Sequence, residues 1–153
     1  MNTSNEKTIK VAPETKDILD KLVRGENATV EAYDKLLEKF QNNDKAFKLK
    51  TIRTQHKENA KYWRNQLSKD NSKLTDNISI QKMLTNLFIE AGKIVGSNSA
   101  LEFIKKVEMM RLNNYKDMLD NPLLPIRHKK VILNEFVPSQ KKNIETLKAM
   151  VTK

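Results

Sequence analysis

Two glutamate–tyrosine pairs recur at the same spacing in the two halves of the 153-residue chain. Tyr33 follows Glu26 by seven residues, and Tyr115 follows Glu108 by seven. Seven residues make close to two turns of an α-helix, so each glutamate shares a helix face with its tyrosine. The remaining residues on both faces are apolar, and a carboxylate on a buried face is costly unless something pairs with it. The spacing therefore predicts a polar or metal-binding centre inside a bundle of helices.

Two further apolar stripes also contain polar residues near their middle. His56 and Asn59 lie on one stripe, and Gln140 and Asn143 lie on another that begins with Leu133. Since every main helix places a polar group at mid-length, we expect a single shared layer, in which hydrogen bonds satisfy the buried groups. Around the two glutamates, this predicted polar layer consists of Tyr33, Tyr115, Asn59, Gln140 and Asn143.

The elements that position these residues are predicted to be helices throughout, because glycine and proline are scarce and the apolar periodicity is helical. The first two predicted helices run from Pro13 to about Gln41 and from the turn at 42–44 to about Lys69. A connecting helix of 18 residues follows an N-cap at Asp76 or Asn77 and reaches about Ile94. A fourth helix starts at a Ser99–Glu102 capping box, and the last runs to about Val151 with a kink near Asn134 caused by Pro138. Short turns make the outer pairs antiparallel hairpins. A connecting helix of about 27 Å would cross the bundle and leave the second and fourth helices parallel.

This arrangement resembles the ferritin-like superfamily, in which each half of a duplicated bundle supplies a Glu-x6-Tyr helix and a Glu-x-x-His helix around two metal ions. More closely, it resembles a bacterial branch of that superfamily classed as a domain of unknown function. The shared features are Gly25-Glu26 with Tyr33, the connecting helix, the Asn-Pro-Leu-Leu-Pro turn at 121–125 and the ending from Gln140 to Leu147. The resemblance covers roughly residues 15–151. It implies an all-α, ferritin-like four-helix bundle of two antiparallel hairpins with an additional connecting helix, over residues 13–153. The polar N-terminus is predicted to form a flexible tail at 1–12.

The resemblance also implies roles for the paired residues. Glu26 and Glu108 fall on the two single-glutamate ligand positions of the superfamily. Tyr33 and Tyr115 fall on the tyrosines that form hydrogen bonds near its metal site.

The Glu-x-x-His motifs of the superfamily are not preserved. Their positions fall on His56-x-x-Asn59 and Gln140-x-x-Asn143, so both bridging carboxylates and both motif histidines are missing. Moving the alignment to Arg53-x-x-His56 recovers one histidine but places an arginine at the carboxylate position. In either alignment the chain has a degenerate di-iron site, because amides cannot neutralise two closely spaced cations.

Three states of the centre remain open. The sequence favours a metal-free polar layer with no cofactor. The first alternative is a single divalent ion, iron, manganese or zinc, held by Glu26, Glu108 and His56. The second is an unpaired glutamate pair in partial contact with water.

Composition limits the remaining possibilities. The chain lacks cysteine, which excludes disulfides and thiolate metal sites, and no stretch approaches the ~18 apolar residues of a membrane span. Residues 1–10 lack the apolar segment of a signal peptide, so we expect a cytoplasmic protein.

The net charge of +10 permits binding of nucleic acid or another polyanion. A basic stripe on the second predicted helix consists of Lys50, Arg53, Lys57, Lys61 and Arg64, for which a solvated surface is the ordinary explanation. His128, flanked by basic residues, is predicted to be exposed.

No nucleophile–base set or phosphate loop is present, so no catalytic residue is predicted. We expect a non-catalytic accessory or stress-related protein that acts through its surface, with a homodimer formed through the connecting helix as a candidate assembly. The alternatives are a protein that holds one metal ion and a helical module that binds anions or nucleic acid.

Overall fold

The structure is a computed structural model that describes residues 13–40, 43–69, 86–87 and 89–151. Its elements are α1 (Pro13–Leu37), α2 (Asp44–Ser68), α3 (Ser97–Leu119), α4 (Ile126–Val131), a π-helical turn (Ile132–Phe136) and α5 (Val137–Val151). Residues 86–87 and 89–93 are also helical and belong to the predicted connecting helix, whose earlier part lies outside the described residues. No strand occurs in these ranges, and the all-α prediction is confirmed.

In the first hairpin, α1 ends in a tight turn and α2 begins with a side-chain cap. α1 ends at Leu37, earlier than predicted, because the N–H groups of Lys39 and Phe40 bond to carbonyls three residues back and close the last turn. α2 begins after Asn43, whose side-chain oxygen accepts a hydrogen bond from the N–H of Ala46 at 3.0 Å. Asn43 is therefore an N-cap residue, which provides an acceptor for an N–H group that has no partner within the helix.

The predicted start of α3 at a Ser99–Glu102 capping box is wrong. The helix begins at Ser97, and its first residue outside is Gly96, which has no side chain to form a cap. Gly96 has φ of +87°, a left-handed conformation that glycine adopts without strain. Because the chain turns into the helix at this glycine, Ser99 already lies in the first helical turn, where it cannot serve as a cap.

Pro138 changes the last helix at the place that the sequence predicts. A proline nitrogen cannot donate to the carbonyl of residue i−4, which here is Asn134. The structure has a π-helical turn centred on Asn134, where the N–H of Val137 bonds to the carbonyl of Ile132. The wider turn changes the direction in which the side chains of this segment point. Leu133, which lies in the turn and was predicted to be in the core, is 57% exposed.

The helices form two antiparallel hairpins, α1 with α2 and α3 with α5, around a shared interior. His56 contacts Glu108 and, further along the same two helices, Trp63 contacts Tyr115, so α2 and α3 run parallel. Buried apolar residues form two clusters toward opposite ends of the helices, one around Trp63 and one around Leu101. A layer of buried polar residues lies between them.

Candidate functional site

The ionic layer is a set of seven side chains between the two apolar clusters. At most 4% of each residue is exposed, although four of the seven side chains are ionisable acids or bases at neutral pH. Its members come from four helices: Glu26 and Tyr33 from α1, His56 from α2, Glu108, Arg111 and Tyr115 from α3, and Gln140 from α5.

His56 joins the two glutamates. Its Nδ1 lies 2.5 Å from Oε2 of Glu26, and its Nε2 lies 2.7 Å from Oε1 of Glu108. Burial disfavours the charged imidazole, but the two carboxylate charges and their hydrogen bonds outweigh it and raise the pKa of His56 to about 10. At neutral pH both ring nitrogens therefore carry hydrogens, and both donate.

Each tyrosine of the Glu-x6-Tyr pairs serves the glutamate of the other pair. Tyr33 donates its hydroxyl hydrogen to Glu108, and Tyr115 donates to Glu26. Seven residues separate partners by about 10 Å along one helix, which is too far for a direct bond. α1 and α3 are antiparallel, so the tyrosine of one helix lies level with the glutamate of the other. The repeated spacing is thus a crossed arrangement between two helices.

Arg111 is the second cation of the ionic layer. Its Nη2 lies 3.5 Å from Oε1 of Glu26, and its guanidinium lies 5.2 Å from the centre of the Tyr115 ring. A Cβ atom added to Gly25 would lie 2.1 Å from Nη1 of Arg111, so the glycine makes room for the guanidinium. Within the described residues, the buried Nε of Arg111 has no hydrogen-bond partner.

Gln140 completes the surroundings of Glu108. Its Nε2 donates to Oε2 of Glu108 and, at 2.9 Å, to the backbone carbonyl of the same residue. These bonds hold the side chain of Glu108 against its own helix. All four carboxylate oxygens of the two glutamates therefore accept hydrogen bonds from protein donors.

The charges of the ionic layer balance. Burial disfavours the Glu26 carboxylate, but His56 and Arg111 more than compensate and lower the pKa of Glu26 to about 2. Burial and the neighbouring glutamates raise the pKa of both tyrosines well above the usual value, so their hydroxyls remain donors. The side-chain oxygens of Glu108 accept hydrogen bonds from Tyr33, His56 and Gln140, so two acceptor carboxyl groups face one imidazolium and one guanidinium.

The donor set does not fit a metal ion in this arrangement. Ligand atoms about 2.1 Å from a tetrahedral ion lie roughly 3.4 Å from one another. The nitrogens of His56 lie closer than this to the carboxylate oxygens, at hydrogen-bonding distance, and an imidazolium has no lone pair for a metal. Within the described residues, no group of three or more His, Cys, Asp or Glu side chains has the geometry to hold an ion.

Two residues of the predicted polar layer have other environments. Asn143 is buried, but its Nδ2 donates to Oε1 of Gln55 at 2.7 Å, and Gln55 donates in turn to Ser139. Asn59 is half-buried and, among the described residues, has no hydrogen bond to either glutamate. The hydrogen bonds to the carboxylates come instead from His56, Gln140 and the crossed tyrosines.

The basic stripe lies on the outer face of α2. Lys50, Lys57, Lys61 and Arg64 are exposed, and in the described part of the chain none of the four forms an ion pair. Arg53 differs, because its guanidinium bonds to Asp34 of α1.

His128 contradicts the prediction that it is exposed. Only 2% of the residue is accessible, and its ring lies 5.9 Å from that of Trp63. Burial and the nearby charges of Arg127 and Lys69 lower its pKa to about 4, so it is neutral at pH 7. On α4 the flanking basic residues are less buried, and the histidine is the inward-facing position of that short helix.

Arg111 is the functional residue that the sequence prediction missed. Its signal was present, since Ile104, Glu108, Arg111 and Tyr115 follow the i, i+4, i+7, i+11 spacing of one helix face. A second signal was Gly25 in a helix interior, where glycine costs about 1 kcal/mol and usually indicates a need for space.

Comparison with known proteins identifies no similar protein. No protein-family model, no curated protein sequence and no solved structure matches the chain. None of the helices in the described ranges is long and apolar enough to cross a membrane.

Proposed function

We propose that the chain is a ferritin-like four-helix bundle in which an internal ion-pair network has replaced the di-metal centre, and that it acts without catalysis through its surface. The two crossed Glu–Tyr pairs, the parallel α2 and α3 and the helical segment before α3 support the ferritin-like topology. An accessory or stress-related role is part of this proposal, and the missing metal ligands support its non-catalytic character. Cytoplasmic location and a homodimer remain predictions.

The observation that carries the proposal is the complete occupation of the carboxylate oxygens. In a di-metal protein, the glutamates neutralise metal ions. Here His56 and Arg111 supply the two positive charges, and Tyr33, Tyr115 and Gln140 supply the remaining donors. A metal ion would have to displace a hydrogen-bonded cation from a buried position, which adds a desolvation cost.

Metal analysis of protein purified without chelator tests this proposal. We expect less than about 0.1 equivalent of iron, manganese or zinc, and a thermal midpoint that none of these ions raises, since a ligand that binds only the folded state must stabilise it. The control is the variant Glu26→Gln with Glu108→Gln, which removes both carboxylates. Stoichiometric metal in the natural protein that is absent from this variant would establish the single-ion alternative instead.

Polyanion binding through the basic stripe is the second candidate, and the exposed, unpaired state of Lys50, Lys57, Lys61 and Arg64 favours it. Duplex DNA binding should then weaken steeply with salt, as expected when phosphate contacts release counterions. The charge reversals Lys57→Glu and Lys61→Glu should reduce that salt dependence. Equal reversals at the exposed Lys106 and Lys116 of α3 are the matched control, and an equal effect there would exclude a site on α2.

A further inference from the structure

A groove between α2 and α5 has properties that the ionic layer does not explain. It has a volume of about 310 Å³, at the lower end of the ~300–1,000 Å³ range of ligand pockets. Its lining residues are Phe47, Lys48, Thr51, Ile52, Gln55, Lys142, Asn143 and Thr146. The ring of Phe47 belongs to neither apolar cluster, and the residue is 73% exposed.

The charge of this groove distinguishes it from its neighbours. Lys48 on α2 and Lys142 on α5 lie on its two sides, and neither forms an ion pair with a described residue. No acidic side chain belongs to its described lining. Two other grooves in the described ranges contain a carboxylate, one from Asp44 and one from Glu102. The α2–α5 groove is therefore the one of the three that suits an anion.

The polar groups in the groove are already oriented. The hydroxyls of Thr51 and Thr146 donate to carbonyls of their own helices, at 3.1 and 3.0 Å. The 93%-buried Asn143 donates one amide hydrogen to Gln55, which donates one of its own to Ser139. Each of these amide nitrogens has a second hydrogen. The lining thus combines the hydrogen-bonded amides of Gln55 and Asn143 and two lysine side chains with the apolar side chains of Phe47 and Ile52.

We propose that the groove between α2 and α5 binds a small amphipathic carboxylate, with the carboxylate between Lys48 and Lys142 and its hydrocarbon part against Phe47 and Ile52. A volume of about 310 Å³ suits a small ligand. A medium-chain fatty acid has this size and this combination of one charge and one apolar part. The proposal is independent of whether the ionic layer holds metal.

Titration of ¹⁵N-labelled full-length protein with octanoate tests the proposal by NMR. We expect saturable shifts of the side-chain amide signals of Gln55 and Asn143, with a Kd on the order of 1 mM or tighter. Octanol provides the same hydrocarbon without charge, and acetate provides the charge without the hydrocarbon. Both should bind at least about tenfold more weakly, because each meets only half of the groove.

The variant Lys48→Glu with Lys142→Glu should weaken octanoate binding at least about tenfold, and Phe47→Ala should weaken it several-fold. Since all three side chains are exposed, thermal midpoints should stay near that of the natural protein. Charge reversal of Lys106 and Lys116 on α3 is the matched control and should change the Kd less than about twofold. Equal binding of octanol, shifts confined to another surface, or an unchanged Kd in the Lys48/Lys142 variant would overturn the proposal.

Discussion

Glu26 and Glu108 occupy equivalent places in the two hairpins but have different partners. Both accept a hydrogen bond from His56 and one from the tyrosine of the opposite helix. The third partner is a cation, Arg111, at Glu26 and a neutral amide, Gln140, at Glu108. The symmetric part of the layer is therefore the Glu–Tyr repeat with the shared His56, and the asymmetric part is the third partner, which is charged at Glu26 and neutral at Glu108.

The difference shows how a buried pair of carboxylates can persist without metal. One shared imidazolium and one guanidinium balance both charges, so a second cation beside Glu108 is unnecessary. Breaking a buried ion pair costs far more than removing a neutral hydrogen bond. The two halves should consequently respond unequally to matched substitutions.

The largest effect is expected from Arg111→Met, which keeps much of the side-chain length and removes the charge. His56 would then be the one cation beside both glutamates, which leaves one buried negative charge without a compensating positive charge. We expect a loss of about 3–5 kcal/mol in the free energy of unfolding, measured by urea denaturation.

A double variant tests whether this loss is electrostatic. Adding Glu26→Gln to Arg111→Met restores charge balance, so the pair should lose less stability than the sum of the two single variants. Strict additivity would show that Arg111 contributes by packing alone.

Gln140→Met makes the matched change on the Glu108 side. It removes two hydrogen bonds but no charge, and the expected loss is about 1–3 kcal/mol, smaller than for Arg111→Met. The same denaturation series provides the measurement. A loss equal to or greater than that of Arg111→Met would contradict the inequality between the halves.

The pH dependence of stability should reflect the shifted groups. The raised pKa of His56 gives a contribution that is complete below about pH 6.5 and lost as the pH rises toward 10. The lowered pKa of Glu26 gives a contribution to stability that is complete above about pH 4.5 and is lost as the pH falls toward 2. The lowered pKa of His128 means that the protein loses stability as the pH falls from 6.5 through 4.

Together, these three pH dependences place the maximum free energy of unfolding near pH 6.5. By pH 8 the protein should have lost on the order of 2 kcal/mol of it. Thermal denaturation across pH 4–9 measures the profile. In a His56→Gln variant the alkaline slope should disappear, and in a His128→Phe variant the acid slope should become shallower while the alkaline slope stays. An unchanged alkaline slope without His56 would refute its assignment.

The smallest effect concerns Gly25. In the natural protein, Gly25→Ala places a methyl group against the guanidinium of Arg111 and should destabilise by about 1 kcal/mol or more. In an Arg111→Ala background the space is empty, and the same substitution should stabilise by about 1 kcal/mol through helix propensity. If the sign does not reverse between the two backgrounds, Gly25 is not there to accommodate Arg111.

Much of the fold could be predicted from periodicity, because the helical stripes containing Leu19, Trp63 and Leu101 are regular and turn residues are few. The inward position of Glu26, His56 and Glu108 follows from the same spacing. The crossed tyrosines could not be predicted from one helix, since they depend on the level at which α1 meets α3. Leu133 and Ser99 were placed incorrectly because a π-helical turn and a left-handed glycine shift the helix phase or start in ways that periodicity does not reveal.

The central claim, that protein cations rather than metal neutralise the two glutamates, is tested most directly by ¹⁵N NMR of the His56 ring. At pH 8 we expect both ring nitrogens to carry hydrogens, in protein dialysed with or without iron, manganese and zinc, and deprotonation only near pH 10. A neutral His56 ring at pH 8, with one nitrogen that carries no hydrogen or whose NMR signal shifts when metal is added, would contradict the account.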